Sequence, residues 1–346
     1  MNISLTIEKS KVNPYFEIMD PHLQTCRWME QYWNIISDKR IYDVVLPGTH
    51  DSGSYSCSFE NGVAPFAPKI LRRKCLTRYM KNVAIDWTKT NEYNLLQQLM
   101  KGARYLDLRV CISTKDNEIR TKHFIYGETY DSLLDQIYDF IRTQPKEFII
   151  LDFSHFQKKT LYSMTIDDHK RFVSMIQNKI GKYLVTKTEI SLTLDELLEK
   201  NHRIFAVYHL DEIAYQYSYL LPSQSMFNHW TNTQSSDTLI KALKKTVIEF
   251  DKDTHPNTVF FSLQSCITPN RRIIVNSIKQ KYFNSCKKKN DNTPKSLYDV
   301  AEEANAELIK WFESYNNTII PFNIVLVDYL EKYRNLVILI INMNKM

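Results

Sequence analysis

The sequence predicts an α/β protein whose parallel sheet is either covered by helices on both faces or closed into a barrel. Two observations support this fold class. Short apolar segments alternate along the chain with amphipathic helices, and polar side chains cluster where the apolar segments end. The 346 residues suit one such domain with additions, since an α/β barrel commonly takes about 250 residues.

Six segments are predicted to be buried strands because each is a short run rich in apolar and β-branched residues. They are residues 41–46, 104–110, 148–153, 203–208, 258–263 and 323–329. The first is expected to end at Pro47-Gly48. Strands that are apolar throughout, without a polar alternate face, are typical of parallel sheets.

Three amphipathic helices are predicted between these strands. The first, 130–145, has Asp131 as its expected N-cap and Pro145 beyond its end. The second spans 235–250, and the third spans 295–315 with Ser296 as its cap. Their predicted buried faces are, in order, Leu133, Leu134, Ile137, Phe140 and Ile141; Leu239, Ile240, Leu243, Val247 and Ile248; and Val300, Ala304, Leu308 and Phe312.

The domain prediction is a single barrel over residues 36–346, preceded by an N-terminal extension over residues 1–35. Within the extension, Trp28 and Trp33 indicate partial burial. The polar stretch 286–296 is expected to be a surface loop. No glycine pattern of the Rossmann or P-loop type occurs, which argues against nucleotide binding by those routes.

The bulk composition excludes several classes. A net charge of +6 is too small to indicate nucleic-acid binding; it suits an anionic membrane surface, a phosphate-bearing substrate or simply a solvated surface. The six cysteines lack CxxC spacing, which argues against a zinc site or a disulfide scaffold. The chain begins without an apolar signal region, and its longest apolar run, 336–341, is far short of the ~20 residues of a membrane span. We therefore expect a cytoplasmic protein with peripheral membrane contact.

Polar residues at the predicted strand ends form the candidate site. His50 follows the first strand, and Asp107 and Arg109 share one face of the second because they are two residues apart. Asp152 and Asp328 occupy the ends of the third and last strands. Parallel strands bring their carboxyl ends to one edge, where active sites of such folds lie.

Two histidines, an arginine and carboxylates suit cleavage of a phosphodiester by an internal hydroxyl. His123, which follows the second strand, is the second histidine. A structural ion pair between Asp107 and Arg109 is the alternative interpretation. Six further histidines are predicted to be ordinary surface or core residues: His22, His155, His169, His202, His209 and His229.

The segments LPGTHDSGSY, GARYLDLRV, KHFIYG, PKEFIILDFSHF and SLQSCITPN, with the C-terminal NIVLVDYLEKYRNLVILIINMN, resemble in order the phosphatidylinositol-specific phospholipase C X domain. The resemblance runs from about residue 36 to the C-terminus. It implies an irregular TIM-type (β/α) barrel. It also implies a phosphoric diester hydrolase that converts phosphatidylinositol-type lipids to diacylglycerol and inositol cyclic phosphate.

The resemblance also implies a role for each candidate residue. His50 matches the general base, His123 the general acid and Arg109 the phosphate-stabilising cation. Asp51 matches the carboxylate that braces the arginine and the acid, and Asp328 the group that orients His50. The resemblance also implies substrate contacts for Asp107, Asp152 and Ser154.

This chain departs from the family at two places. Phe124 follows His123 where relatives usually have glycine. Arg109 and Asp51 replace the acidic metal ligand and the asparagine of the calcium-dependent members, so the resemblance implies chemistry without a metal or other cofactor. The expected partner is a phospholipid at a membrane surface, with Trp87 and Trp230 as candidate interface residues; the oligomeric state is left open.

Two other functions are weighed against this one. The first is a catalytically weak or inactive X domain that binds lipid or protein. The second is a phosphodiesterase of the glycerophosphodiester type, which would hold a metal with several carboxylates.

Overall fold

The protein is described by a computed structural model over residues 22–73, 77–156, 164–270, 272–276, 294–315 and 320–346. Residues 1–21 of the predicted extension and most of the predicted loop at 286–296 lie outside the described residues. The domain boundary between residues 35 and 36 stays a prediction.

Ten strands of the described residues form one sheet. They are β1 (Leu46–Thr49), β2 (Tyr105–Ile112), β3 (Ile119–His123), β4 (Ile125–Thr129), β5 (Ile149–Ser154), β6 (Ile204–Tyr208), β7 (Leu220–Leu221), β8 (Met226–Asn228), β9 (Phe260–Gln264) and β10 (Ile324–Val327).

Eight of these strands are parallel and follow the order β7-β6-β5-β2-β1-β10-β9-β8. The sheet curls into an irregular TIM-type barrel, as expected. Within the described residues, no ladder joins β7 to β8, so the barrel is open at that seam. β3 and β4 form an antiparallel hairpin attached to β2.

The strand predictions were close for five segments and wrong for the first. Residues Ile41–Asp43 form a 3-10 turn, and Pro47-Gly48 lies inside β1 rather than after it. Proline fits there because the carbonyl of Pro47 faces β2, where it accepts from Arg104 N, and the β1–β2 ladder begins only at Gly48. No ladder bond needs the missing N–H.

The helices are α1 (Trp28–Gln31), α2 (Trp33–Ile36), α3 (Arg78–Asp86), α4 (Leu95–Met100), α5 (Tyr130–Thr143), α6 (Ile166–Ile180), α7 (Leu194–Glu199), α8 (Asp211–Ala214), α9 (Ser236–Glu249), α10 (Leu297–Glu313) and α11 (Arg334–Asn342). None of the described helices combines the length and apolar character of a membrane span.

The predicted buried faces of α5 and α10 are confirmed, and Ser296 caps α10 by accepting from Asp299 N. The cap of α5 is Thr129 rather than Asp131, because the helix begins at Tyr130 and Asp131 already lies in its first turn. On α9, Ile248 is 82% exposed. It lies nine residues, or about 180° around the helix, from the buried Leu239, so its assignment to the buried face was wrong.

The described part of the predicted extension packs on the barrel, and the burial expected of its tryptophans is confirmed. Trp28 is fully buried and donates to the Gly102 carbonyl over 3.2 Å, while Trp33 stacks on Phe148. A buried ion pair, Arg104 with Glu147, anchors this segment. Glu147 also accepts from the backbone N–H groups of residues 29 and 30.

Candidate active site

Strand register brings the predicted site residues together at the carboxyl end of the barrel. Thr49 of β1 pairs with Val327 of β10, so the next residues along, His50 and Asp328, emerge side by side. β2 and β5 pair Asp107 with Asp152 and Arg109 with Ser154. Of these residues, His50, Asp107, Arg109, Asp152 and Asp328 were predicted to lie at this edge.

The backbone turns sharply at four points of this rim. Asp51, Phe124, His155 and Tyr329 all have a positive φ, between 40° and 64°. Each directly follows a residue that faces the site, which is the kind of place where backbone strain is concentrated in functional proteins. Phe124 has a φ of 64°, which a glycine, usual in relatives at this position, adopts without strain.

His50 makes two hydrogen bonds that define its tautomer. Nδ1 donates to Oδ1 of Asp328 over 2.7 Å, because a carboxylate only accepts. Nε2 accepts from Nη2 of Arg109 over 2.8 Å, because a guanidinium only donates. Burial alone would lower the pKa of His50, but the Asp328 carboxylate outweighs it and the net pKa is raised. The imidazole therefore presents a basic Nε2.

Arg109 is the fixed cation of the site. Its Nη1 lies 3.3 Å from Oδ2 of Asp51, and its Nε lies 3.9 Å from Oδ2 of Asp107. Burial would raise the pKa of Asp107, but the guanidinium of Arg109 and then His50 bring it below its ordinary value. Asp107 thus stays ionised, and it also accepts from Ser154 Oγ over 3.3 Å.

Asp51 lies between Arg109 and His123. Its Oδ2 is 3.4 Å from Nδ1 of His123, and its side chain is fully buried. Burial raises the pKa of Asp51 to about 6, more than Arg109 lowers it. Asp51 therefore contacts both residues that the resemblance expects it to brace.

His123 ends β3 and lies beside the site. Its Nδ1 donates to the Thr88 carbonyl over 2.5 Å, which leaves Nε2 to accept or, in the protonated ring, to donate. Burial, followed by the charge of Arg109, holds the pKa of His123 well below its ordinary value. The ring is therefore neutral near pH 7 when no anion is bound.

Sequence reasoning missed two residues that hydrogen-bond to the backbone carbonyl of His50. Thr90 Oγ1 and Asn91 Nδ2 each donate to the His50 carbonyl over 2.7 Å, and both are fully buried. They lie on an irregular segment between α3 and α4. No local pattern marks the segment, so only the tertiary structure reveals this support.

Asp152 and His209 form a second carboxylate–imidazole pair on the same rim. His209 Nε2 lies 2.6 Å from Oδ1 of Asp152, whose Oδ2 accepts from Tyr105 over 2.5 Å. Burial alone would lower the pKa of His209, but Asp152 raises it overall. Asp152 is 1% exposed, so the group that it presents to the barrel mouth is His209, which sequence reasoning treated as ordinary.

Aromatic rings flank the two histidines. Trp230, 38% exposed, lies 5.3 Å from the His50 ring between centroids, and Phe124, 40% exposed, stacks on His123 at the same distance. Trp87 is half-buried. Of the two tryptophans expected at an interface, Trp230 is the one beside the site.

The arrangement supplies a basic imidazole, a cation on the same side of it and a second imidazole braced by a carboxylate. These are the groups needed to move a proton off a hydroxyl while negative charge grows on a phosphoryl group. Among the described residues, only His50, Cys266 and Asp328 form a group of three potential metal ligands, with their ligand atoms within 4.8 Å of one another.

Comparison with known proteins gives the chain a family. No family model matches the chain. PI-PLC X domain-containing protein 2 of Mus musculus is 31% identical over 257 residues, which cover 72% of each chain. The variant-surface-glycoprotein phospholipase C of Trypanosoma brucei brucei is 27% identical over 84% of this chain and 80% of its own.

Among solved structures, the phosphatidylinositol-specific phospholipase C of Listeria monocytogenes superposes with a TM-score of 0.59. It is 16% identical, and the match covers 91% of this chain and 98% of the bacterial one. This likeness agrees with the barrel fold described above. On the identity and coverage shared with the mouse relative, the chain belongs to the family of PI-PLC X domain-containing proteins.

Proposed function

We propose that the protein is a phosphatidylinositol-specific phospholipase C that cleaves its lipid by attack of the inositol 2-hydroxyl. The observation that carries the proposal is the His50 imidazole, held at Nδ1 by Asp328 and contacted at Nε2 by Arg109. A base and a phosphate-binding cation within 2.8 Å of each other suit a reaction in which deprotonation and charge growth at phosphorus occur together.

The first step is a transfer within the substrate. As the phosphodiester binds, Arg109 turns from His50 to the phosphoryl oxygens and frees Nε2. His50 then takes the proton of the 2-hydroxyl, whose oxygen attacks phosphorus. The bond from phosphorus to the diacylglycerol oxygen breaks, and that oxygen takes a proton from His123. The products are diacylglycerol and inositol 1,2-cyclic phosphate.

Asp328 serves the proton transfer in two ways. Its hydrogen bond keeps the proton on Nδ1, so Nε2 is the basic atom, and its charge stabilises the imidazolium that forms. In a slower second step, His123 would take a proton from water and His50 would return its proton to the 2-oxygen, opening the cyclic phosphate.

The acid role of His123 depends on the substrate. Burial and Arg109 lower its pKa in the free protein, so the ring needs a bound anion to hold a proton. A phosphodiester between Arg109 and His123 would supply that negative charge. Asp51, 3.4 Å from Nδ1, is the carboxylate that steadies the charged ring.

The remaining predicted residues receive roles by position. We propose that Ser154 and Asp107 face the inositol hydroxyls, and that Asp152 acts through His209, whose ring it holds at the barrel mouth. Exposed Trp230 would contact the membrane surface that carries the lipid. The described cysteines are free thiols, which suits action from the cytoplasm.

A catalytically silent lipid-binding module is the second candidate. The lowered pKa of His123 favours it, since a neutral ring cannot donate a proton to the leaving oxygen. In that case the site would hold the phosphodiester without cleaving it.

The test is cleavage of phosphatidylinositol vesicles in the presence of EDTA, followed by 31P NMR of the released headgroup. Cyclic phosphate should appear with the wild type and be abolished by His50→Ala and by His123→Ala. The matched control is His202→Ala, at the opposite end of β6, which should retain activity. Vesicle binding without product would favour the module, and full activity in both site variants would overturn the mechanism.

A further inference from the structure

Cys266 lies beside the pair formed by His50 and Asp328. The ligand atoms of the three residues are within 4.8 Å of one another. All three side chains are buried: Cys266 is 2%, Asp328 3% and His50 7% exposed.

The barrel brings this thiol to the site through strand pairing. β9 and β10 are parallel, with Gln264 opposite Leu326, and Ser265 N continues the ladder by donating to the Leu326 carbonyl over 2.8 Å. Cys266 follows immediately, with Sγ 3.7 Å from the same carbonyl. Its position is therefore set by the backbone that also sets Asp328.

The surroundings favour a cation. Three carboxylates, those of Asp51, Asp107 and Asp328, lie within the same cluster as a single guanidinium, that of Arg109. Imidazole, thiolate and carboxylate are the ligand types that zinc takes in proteins. Ligand atoms on a tetrahedral zinc ion lie about 3.3–3.8 Å apart, so small side-chain movements would complete the site.

We propose that His50, Cys266 and Asp328 form a binding site for a thiophilic divalent cation such as Zn²⁺, and that the bound ion blocks the site. The inhibitory part rests on the function proposed above; the binding part does not. The thiolate selects Zn²⁺, Cd²⁺ and Co²⁺ over Mg²⁺ and Ca²⁺, which prefer oxygen ligands.

Binding releases one proton. The Cys266 S–H bond breaks, the proton goes to solvent, and the sulfur electron pair forms the bond to the ion. The imidazole binds through Nδ1 in the tautomer that carries its proton on Nε2, so the ion takes the place of the hydrogen bond to Asp328. With Nε2 protonated, His50 has no basic atom for a substrate hydroxyl, and turnover stops.

Co²⁺ tests binding without any need for turnover, because a cobalt–thiolate bond gives a charge-transfer absorption band. The EDTA-treated full chain should bind one equivalent with this band, and Cys266→Ser should lose it. Cys57→Ser, which removes another buried thiol, should keep it. A band retained in Cys266→Ser, or no band in the wild type, overturns the site.

Two further measurements complete the test. His50→Ala should also weaken the cobalt band, which keeps the proposal testable if Cys266→Ser does not fold. In the vesicle assay, Zn²⁺ should inhibit the wild type at least tenfold more strongly than Cys266→Ser. A cobalt band in a protein without phospholipase activity would contradict the proposed function and leave the site standing; equal inhibition of both proteins would overturn the inhibitory role.

Discussion

Asp328 accepts a hydrogen bond of 2.7 Å from Nδ1 of His50, although the two residues are 278 positions apart in the chain. The contact exists because β1 and β10 are neighbours in the strand order of the sheet. It determines which nitrogen of His50 is basic, and thereby the direction in which the imidazole can take a proton.

Replacing Asp328 with Asn should lower the pKa of His50, because the carboxylate that outweighs the effect of burial is lost. NMR titration of the imidazole measures this directly. In the free protein the pKa of His50 lies above that of His123, so the alkaline limb of kcat/KM follows His50 and should move to lower pH with it. The value of kcat should fall by roughly 10²–10⁴-fold. An unchanged imidazole titration would contradict the role of Asp328.

Asp51→Asn should change how the stability of the protein depends on pH. Because burial raises the pKa of Asp51 from 3.8 to about 6, its contribution to stability is present below pH 3.8 and is lost as the pH rises through 6. The variant lacks this titration, so between pH 4 and 7 the free energy of unfolding of the wild type should fall by about 2–3 kcal/mol relative to that of the variant.

Urea unfolding of both proteins across this range measures the difference, and titrating groups far from Asp51 cancel in the comparison. The same substitution should reduce activity, since Asp51 braces Arg109 and His123. A difference in unfolding free energy that does not vary with pH would show that Asp51 is ionised at no cost in the folded protein.

Arg109→Lys should reduce kcat by roughly 10²–10³-fold, the loss typical of a missing charge-stabilising donor. A lysine keeps the charge but cannot contact Asp51 and a phosphoryl group at once through a planar fork. Steady-state kinetics on phosphatidylinositol gives the measurement. Arg120→Lys is the matched control, because Arg120 pairs with Asp116 away from the site, and its kcat should equal that of the wild type.

Glu147→Gln should destabilise the fold by about 3–5 kcal/mol, because it leaves the buried guanidinium of Arg104 without a counter-charge. Denaturant unfolding measures the loss. Glu307→Gln removes a solvent-exposed ion pair with Lys310 and should change stability far less than Glu147→Gln does. Similar values for the two variants would mean that the buried pair contributes little.

Much of the fold could be predicted from local sequence patterns. Buried parallel strands are apolar along their whole length, so five of the six predicted segments correspond closely to observed strands. The hairpin of β3 and β4 was missed because its strands contain many polar residues and are not part of the parallel barrel wall. Ile248 was misassigned because an apolar residue was counted without its angle around the helix.

The candidate site divides in the same way. His50, Arg109 and His123 lie within short sequence motifs, so the sequence was enough to select them as candidate site residues. No sequence motif marks Thr90 and Asn91, because their hydrogen bonds to His50 join a loop to a strand end that is distant in the chain.

By itself, the sequence determined which side chains are candidates for phosphoryl chemistry and that most of them lie at the ends of apolar strands, since both properties are local. The tertiary structure alone decided that Asp152 serves His209 and that Cys266 joins His50 and Asp328. Such contacts depend on which strands become neighbours when the sheet curls, and strand order is a property of the whole chain.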